Sequence, residues 1–378
     1  MSDFSIQILN GISEISQKSW DKQLPQGKNP FLSWRFLHAC EESGSTSIST
    51  GWTPKHLILR DDKKNHVGSV PLYLKSHSQG EYVFDHGWAQ ALERVGENYY
   101  PKLQCSIPFT PVTGPRLLTK SQKNKAFLST EIIKLCKNWG LSSVHFTFLQ
   151  NGDLNILKEL GFAHRKDRQF HFINREYNNF NDFLNSLSSR KRKNIKKERQ
   201  AANDGITIKR LSGDDIKNEH WDVFWKCYLD TSFRKWGRPY LTRYFFEIMQ
   251  DTMRDDIILV IAFEHDIPIG AALNYIGCDT IYGRNWGSLT YRPYLHFELC
   301  YYQAIEAAIE HKLKKVEAGA QGVHKLSRGY EPIVTHSAHY LIHPGLNHAV
   351  NEYLDKERNA VKSEINYLNE HTPFKKSD

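Results

Sequence analysis

Ile257 to Trp286 reads IILVIAFEHDIPIGAALNYIGCDTIYGRNW, three apolar runs divided by two short turn signals. Runs of this length, rich in β-branched residues and bounded by Asp, Gly and Pro, predict strands at 257–264, 269–276 and 280–286. Connections of two to five residues allow only antiparallel neighbours. Downstream, Phe297, Cys300, Tyr301, Ala304, Ile305, Ala308 and Ile309 recur at helical spacing. They predict an amphipathic helix over 295–313 lying against the sheet. A further strand is expected at 315–318.

The same order, meander then helix then strand, is expected about 170–180 residues earlier. Strands are predicted at 56–60, 67–75 and 81–84, a helix at 123–139 and an apolar strand at 144–149. A boundary is expected near 165–169, and 347–370 reads as a polar helical tail. The 378 residues, 40% of them apolar, suit about two domains, and 12% aromatic with 24% charged residues excludes a disordered chain. No run of 18 apolar residues occurs, and Met1-Ser2-Asp3-Phe4 lacks the basic and apolar regions of a leader, so a soluble cytoplasmic protein without membrane insertion is expected. The six cysteines (40, 105, 136, 227, 278 and 300) form no C-x-x-C pair and read as buried free thiols.

Fifty basic against 42 acidic residues give a net charge of +8, and Arg190 to Arg199 (RKRKNIKKER) alone contributes seven basic residues and one acid. That segment predicts a basic helix over 188–204, either a solvated face or an anion-binding one built on Arg190, Lys191, Arg192 and Lys193. Near the N-terminus of the 295–313 helix, Arg292 is a further candidate for a carrier's phosphates, because first-turn N–H groups are unpaired there. The glycine-rich R/Q-x-x-G-x-G/A loop of acetyl-coenzyme A users is absent from that position.

Glu317-Ala318-Gly319-Ala320-Gln321-Gly322 followed by His324, Lys325, Arg328 and Tyr330 runs a strand into small residues and then into polar ones. Small residues let backbone approach a ligand, and amide formation needs a base, an acid and oxyanion donors. Glu317 or His324 is the candidate base and Tyr330 the acid, while Gln321, Lys325 and Arg328 are candidates to hold substrate. Aromatic and basic residues also interleave around Lys235 and Arg238, and around Arg284 and Trp286, as stacking surfaces or as snorkelling surface residues. Glu81 and Asp85 beside Trp88 form a smaller candidate in the first half. No metal is expected, since His336 and His339 sit three apart on a strand and face opposite sides.

The stretches GEYVFDHGWA (Gly80 to Ala89), YYPKLQCSIPFTPVTGPRLL (Tyr99 to Leu118), RKRKNIKKER, RKWGRPYLTRYFF (Arg234 to Phe246), LHFELCYYQAIEAAI (Leu295 to Ile309) and EAGAQGVHKLSRGY (Glu317 to Tyr330) resemble the FemAB-like family of predicted N-acyltransferases. The resemblance implies an α+β fold of two tandem GNAT-like (acyl-CoA N-acyltransferase-like) domains, each a mixed, mostly antiparallel sheet flanked by helices. The domains are expected at 1–166 and 167–346, with a tail at 347–378. It implies amide or peptide-bond formation, from an acyl-CoA or aminoacyl-tRNA donor to a small-molecule or peptide amine. The alternative is a tRNA- or RNA-binding or cell-wall-precursor-binding protein that kept the fold without catalysis. Lys325 to Tyr330 resembles a Lys-x-x-Gly-aromatic turn of Fem relatives, with Ser327-Arg328 preceding the glycine here. The long helical hairpin of some cross-bridge enzymes is missing.

Overall fold

The computed structural model describes residues 4–25, 29–320 and 322–375, without the side chains of Lys235 and Trp236. Its strands, in chain order, are β1 (Ser5–Leu9), β2 (Trp52–Pro54), β3 (His56–Arg60), β4 (His66–Val70), β5 (Leu72–Lys75), β6 (Lys102–Cys105), β7 (Ser143–Phe146), β8 (Ala163–Ile173), β9 (Ile206–Leu211), β10 (Ile257–Glu264), β11 (Ile267–Ile276), β12 (Thr280–Ser288), β13 (Lys315–Glu317) and β14 (Tyr330–Leu341). The chain divides into two compact units. The first takes residues up to Arg168 together with Val334–Glu364, and the second takes Gln169–Ile333 together with residues from Ile365 onward. A linear division at 166/167 and 346/347 differs from this, because the end of β14 and most of the helix Pro344–Glu370 return to the first unit.

In the first unit, β2, β5, β6, β7 and the end of β14 form one sheet, with β6 and β7 parallel and the other pairs antiparallel. A separate sheet holds β1, β3 and β4. The expected strand 67–75 is two strands, because Pro71 interrupts the ladder and β4 and β5 pair in different sheets. No strand forms at 81–84. The third strand of the meander is instead β6, where no strand is predicted, and Glu81 is held outside any strand by Lys102 at 2.8 Å. The helix Gln122–Asn138, N-capped by Ser121, lays Leu128, Ile132 and Cys136 on Leu103, Val144 and Phe146.

In the second unit the order across the sheet is β8, β13, β12, β11, β10, β9. Only β12 and β13 run parallel in this set. The expected meander, helix and strand are all present. The helix is continuous through Leu295–Phe297, Glu298–Tyr302 and Gln303–Glu310, with a π-helical middle. It packs Leu299, Tyr302, Ile305 and Ile309 on Ile281 and Val316. On the other face the helix Asn218–Trp236 approaches β12 so closely that a Cβ at Gly287 would sit 1.8 Å from the Cys227 carbonyl oxygen, so only glycine fits. Four cysteines are buried, whereas Cys278 is exposed on the β11–β12 turn and Cys300 is half-buried, so burial does not extend to all six thiols.

The basic segment forms the helix Ser189–Asn203. It is fastened to the second unit by Arg199, which makes a bidentate pair with Glu298 (2.8 and 3.0 Å) and reaches Glu306 (2.6 Å). Glu298 is fully buried. Removing one partner leaves a charge without water or counter-ion, which costs about 3–5 kcal/mol. Arg199→Met is therefore expected to lower the urea unfolding free energy by about 3 kcal/mol, with Arg199→Met/Glu298→Leu recovering much of it. A double variant no more stable than the single one would show that Glu298 carries no such penalty.

Candidate functional site

The parallel pair β12–β13 lasts three residues, Thr280 to Tyr282 against Lys315 to Glu317. Beyond them β12 runs on to Ser288 beside β11 alone, so the two strands part and leave one edge of β12 without its parallel neighbour. At the same level the β11–β12 register slips between Leu273 and Asn274, and Arg284 is the extra residue. Bulges redirect side chains and unpair backbone, and they concentrate near active sites. A cleft opens here, lined among others by Ala272, Asn274, Gly283, Trp286, Cys300 and Tyr301. It continues past Trp286 and His296 into a wider groove that includes Tyr291, Arg292 and Tyr294.

Asn274 is 2% exposed, and its Oδ1 has no hydrogen-bond partner, while its Nδ2 donates to the Ile258 carbonyl (3.5 Å). An unpaired buried acceptor costs about 1–3 kcal/mol, so a lining atom of this kind marks a place for a ligand donor. Gly283 keeps the cleft open: a Cβ there would lie 3.3 Å from that oxygen and 3.8 Å from Ala318 Cα. Lys325 approaches from the 3-10 segment Val323–Arg328 and donates to the carbonyls of Ala318 and Gly319 (3.2 Å to the latter). Burial, with Arg284 nearby, brings its pKa down to about 7. The Tyr301 hydroxyl and His324 Nε2 are 2.9 Å apart.

Residues expected at the site fare differently. Glu317 is 1% exposed and in register with Tyr282 and His171, one residue after Val316, whose side chain packs under the helix. Strand alternation therefore turns its carboxylate to the opposite face from that core. It pairs with Lys315 (2.9 Å) and lies 3.7 Å from Arg284. Arg328 makes a bidentate pair with Glu198 of the basic helix (2.8 and 3.1 Å) and stacks 3.4 Å over Phe297. It acts as an internal fastening for that helix. Tyr330 is fully buried, its hydroxyl facing the Tyr301 carbonyl at 3.4 Å, which removes it as an acid for an incoming substrate. Carboxylate, ammonium and guanidinium thus do not converge on one point. Each is occupied by a different neighbour.

His324 is exposed and reaches the cleft through Tyr301, and Trp286 stacks on His296 at 4.3 Å. Arg292 is held by Glu264 (2.9 Å) and the Asp204 carbonyl (2.7 Å) at the edge of the wider groove. Arg190 and Lys193 are exposed, Lys191 and Arg192 half-buried, and Arg238 is exposed beyond the helix Asn218–Trp236. Gln321 and the Lys235 side chain lie outside the described residues. Glu81 and Asp85 belong to the first unit. Asn274, Tyr301 and His296 were not singled out in the sequence. Tyr301 falls on the helical stripe read as core, and that stripe is where a signal existed.

Among the described residues, no group of three or more His, Cys, Asp or Glu is placed to hold a metal ion, and no helix is long and apolar enough to cross a membrane. No curated protein matches the chain by sequence. Among solved structures, FemX is similar with a TM-score of 0.56 and 13% identity, over 89% of this chain and 98% of that one. The C-terminal domain of a putative lysylphosphatidylglycerol synthetase from Agrobacterium fabrum gives 0.53 and 8%, over 92% and 97%. L-PGS from Bacillus licheniformis gives 0.50 and 10%, over 84% and 95%. At such identities the likeness is one of fold, an α+β arrangement with mostly antiparallel sheets flanked by helices. A family model described as FemAB_like, peptidoglycan biosynthesis/recognition, matches residues 11–376, and the chain therefore belongs to that family.

Proposed function

We propose that the protein is an N-acyltransferase whose second-unit cleft receives an activated acyl or aminoacyl group and passes it to an amine. The observation that carries this is the parting of β12 from β13 beside a bulge, with an unpaired Asn274 oxygen inside the opening. An exposed strand edge offers backbone N–H and C=O groups to an extended, amide-bearing donor such as acyl-CoA or the aminoacyl end of a tRNA. The family description supports an acceptor amine of peptidoglycan chemistry, a peptide or small-molecule amine.

Amide formation makes a C–N bond, breaks the carbonyl's bond to the leaving group, and moves one proton from nitrogen to that group. Tyr301 and His324 form a hydrogen-bonded pair with one member lining the cleft and the other exposed, which suits relay of that proton. Lys325 braces the Ala318 and Gly319 carbonyls where the strands separate.

A second reading rests on the basic helix. Among the described residues, no ion pair is seen for Arg190, Lys191, Lys193, Lys196 or Lys197, while Glu198 is committed to Arg328. A helix of this charge fits a polyanion such as tRNA, in a donor-delivering or purely binding role. Each phosphate contact lowers the slope of log affinity against log salt by about 0.7–0.9. Titrating tRNA from 50 to 200 mM salt is expected to show a slope of about −3 to −5, reduced by about two in Lys193→Ala/Lys197→Ala. A salt-independent affinity removes this reading.

For the transferase, Gly283→Val is expected to cut turnover at least 10-fold, assayed with candidate acyl and aminoacyl donors and amines, while changing stability by only about 1–3 kcal/mol through overpacking. Unchanged turnover would sink the cleft assignment. Lys325 gives a separate test. Unfolded, it keeps its proton to about pH 10.4, whereas folded it releases it near 7. Between those values the unfolded state holds more protons, so raising the pH favours folding by up to about 1.4 kcal/mol per pH unit. Urea unfolding at pH 7 to 10 is expected to show the wild type gaining on Lys325→Met as pH rises. Parallel curves would mean that Lys325 titrates normally.

A further inference from the structure

β14 is paired by β7 on one side and by β8 on the other. Each of these two seams carries a pair of histidines, and all four belong to the first unit. On the β7 side His339 stands in register with His145, and their Nδ1 atoms are 2.7 Å apart. On the β8 side His164 Nε2 lies 3.0 Å from His336 Nδ1. The first pair is buried, each member 1% exposed, and the second is half-buried. A hydrogen bond between two ring nitrogens needs one N–H and one bare lone pair, so each pair holds a single proton between its rings.

The buried pair has no place for another. Tyr99 donates its hydroxyl proton to Asp85 (2.7 Å), which leaves its oxygen to accept from His145 Nε2 at 3.1 Å, and Ser143 Oγ lies 2.8 Å from the same nitrogen. This network assigns the His145 hydrogen to Nε2, so that Nδ1 accepts from His339. His339 then keeps a bare Nε2 with no partner, its ring edge-on to Trp88 at 4.9 Å. An added proton would meet the His339 N–H at His145 Nδ1, or point at no acceptor from His339 Nε2. The charges facing this pair are Lys102, Arg165 and Asp85. Asp85 is already met by Lys102, and Glu357 is committed to Arg165.

The half-buried pair faces cations from three elements: Lys158 of the helix Asn151–Glu159, Lys166 of β8, and Arg358 of the helix Pro344–Glu370. Arg358 donates to the His164 carbonyl and pairs with Asp355. Burial, with neighbouring cations adding to it, brings His145 down to about 3 and His164 to about 4, and lowers His336 and His339 as well. A histidine in an unfolded segment takes its proton near pH 6.5. Below that value the separated strands bind more protons than the paired ones, so falling pH favours separation. Each histidine freed shifts the opening equilibrium about 10-fold between pH 7.5 and 5.5, and four together shift it about 10,000-fold.

We infer that the two histidine pairs make β14 a pH-sensitive seam, holding its end between β7 and β8 at neutral pH and releasing it in mild acid. The strand leads into the helix Pro344–Glu370, whose Leu346, Val350 and Leu354 pack with Leu341 against Trp88 and Leu92. Release of the strand end therefore loosens the start of that helix too. The inference is independent of the transferase reading.

Amide hydrogen exchange of the full chain from pH 7.5 to 5.5, corrected for the intrinsic rate, tests it. Protection at residues 143–146 and 338–341 is expected to fall by about 100-fold or more, while protection at 257–264 and 271–276 in the second unit, which holds only His171 in a comparable state, falls by no more than about 10-fold. In His164→Gln/His336→Gln the fall at 338–341 is expected to be at most about a tenth of the wild-type fall. Should that variant not fold, the imidazole resonances of the wild type decide: all four rings are expected to stay neutral to pH 5.5 for as long as the 338–341 amides remain protected. Flat protection across the seam, equal losses in both units, a wild-type slope in the variant, or a ring titrating near 6.5 while the strand stays paired would overturn the inference.

Discussion

Charge removed from water has to be met by charge or by well-placed dipoles, and this constraint organises both units. Arg199 can lie against a buried Glu298 only because the pairing is bidentate and Gln303 donates to the same carboxylate at 2.8 Å. Arg328 answers Glu198 in the same way. These two pairs turn a segment that looks like a free cationic rod into a docked helix, with acidic groups consumed on the inside and cations left outside. In the first unit Arg116, fully buried, is satisfied by the carbonyls of Val112, Pro115 and Thr147, while Asp153 accepts from the Arg116 and Leu117 amides and from Lys125. Asn274 Oδ1 is one of the buried polar atoms for which this accounting leaves no partner, and among them it lines the cleft beside the bulge.

Periodicity carried most of the fold. The meander around Ile257–Trp286 and the helix after it follow their apolar spacing because both faces of that sheet are covered, one by the helix after the meander and the other by the helix Asn218–Trp236. Residues 81–84 have the same alternation without being a strand. Their Glu81 is drawn toward Lys102 and their backbone is left irregular, with Tyr82 at a φ of +59°. Lys102 to Cys105 was hidden for the converse reason. A lysine and a glutamine on a buried strand face look like loop residues until their partners, far away in sequence, are known.

The candidate site was legible as a neighbourhood and much less so as chemistry. The small residues after Glu317 do mark the place where β13 ends and the strands part, and Lys325 does stand beside it. Roles assigned from residue type failed where another partner claimed the side chain: distant Glu198 for Arg328, neighbouring Lys315 for Glu317, the core around Tyr301 for Tyr330. Asn274 carries no motif. Only the register slip at Leu273/Asn274 and the shape of the opening give it meaning.

The path of the chain has an outcome for its biogenesis. The second unit is inserted between the first unit's β7 and the strand end that pairs with it, Ala338 to Leu341 against Ser143 to Phe146. A nascent chain that has emerged only to residue 333 contains every residue of the Gln169–Ile333 body, yet its leading half is still missing a sheet neighbour. Both units therefore wait for the C-terminal stretch, the first for residues 334–364 and the second for those from 365 onward, and a single cut anywhere between the units yields at best one complete piece.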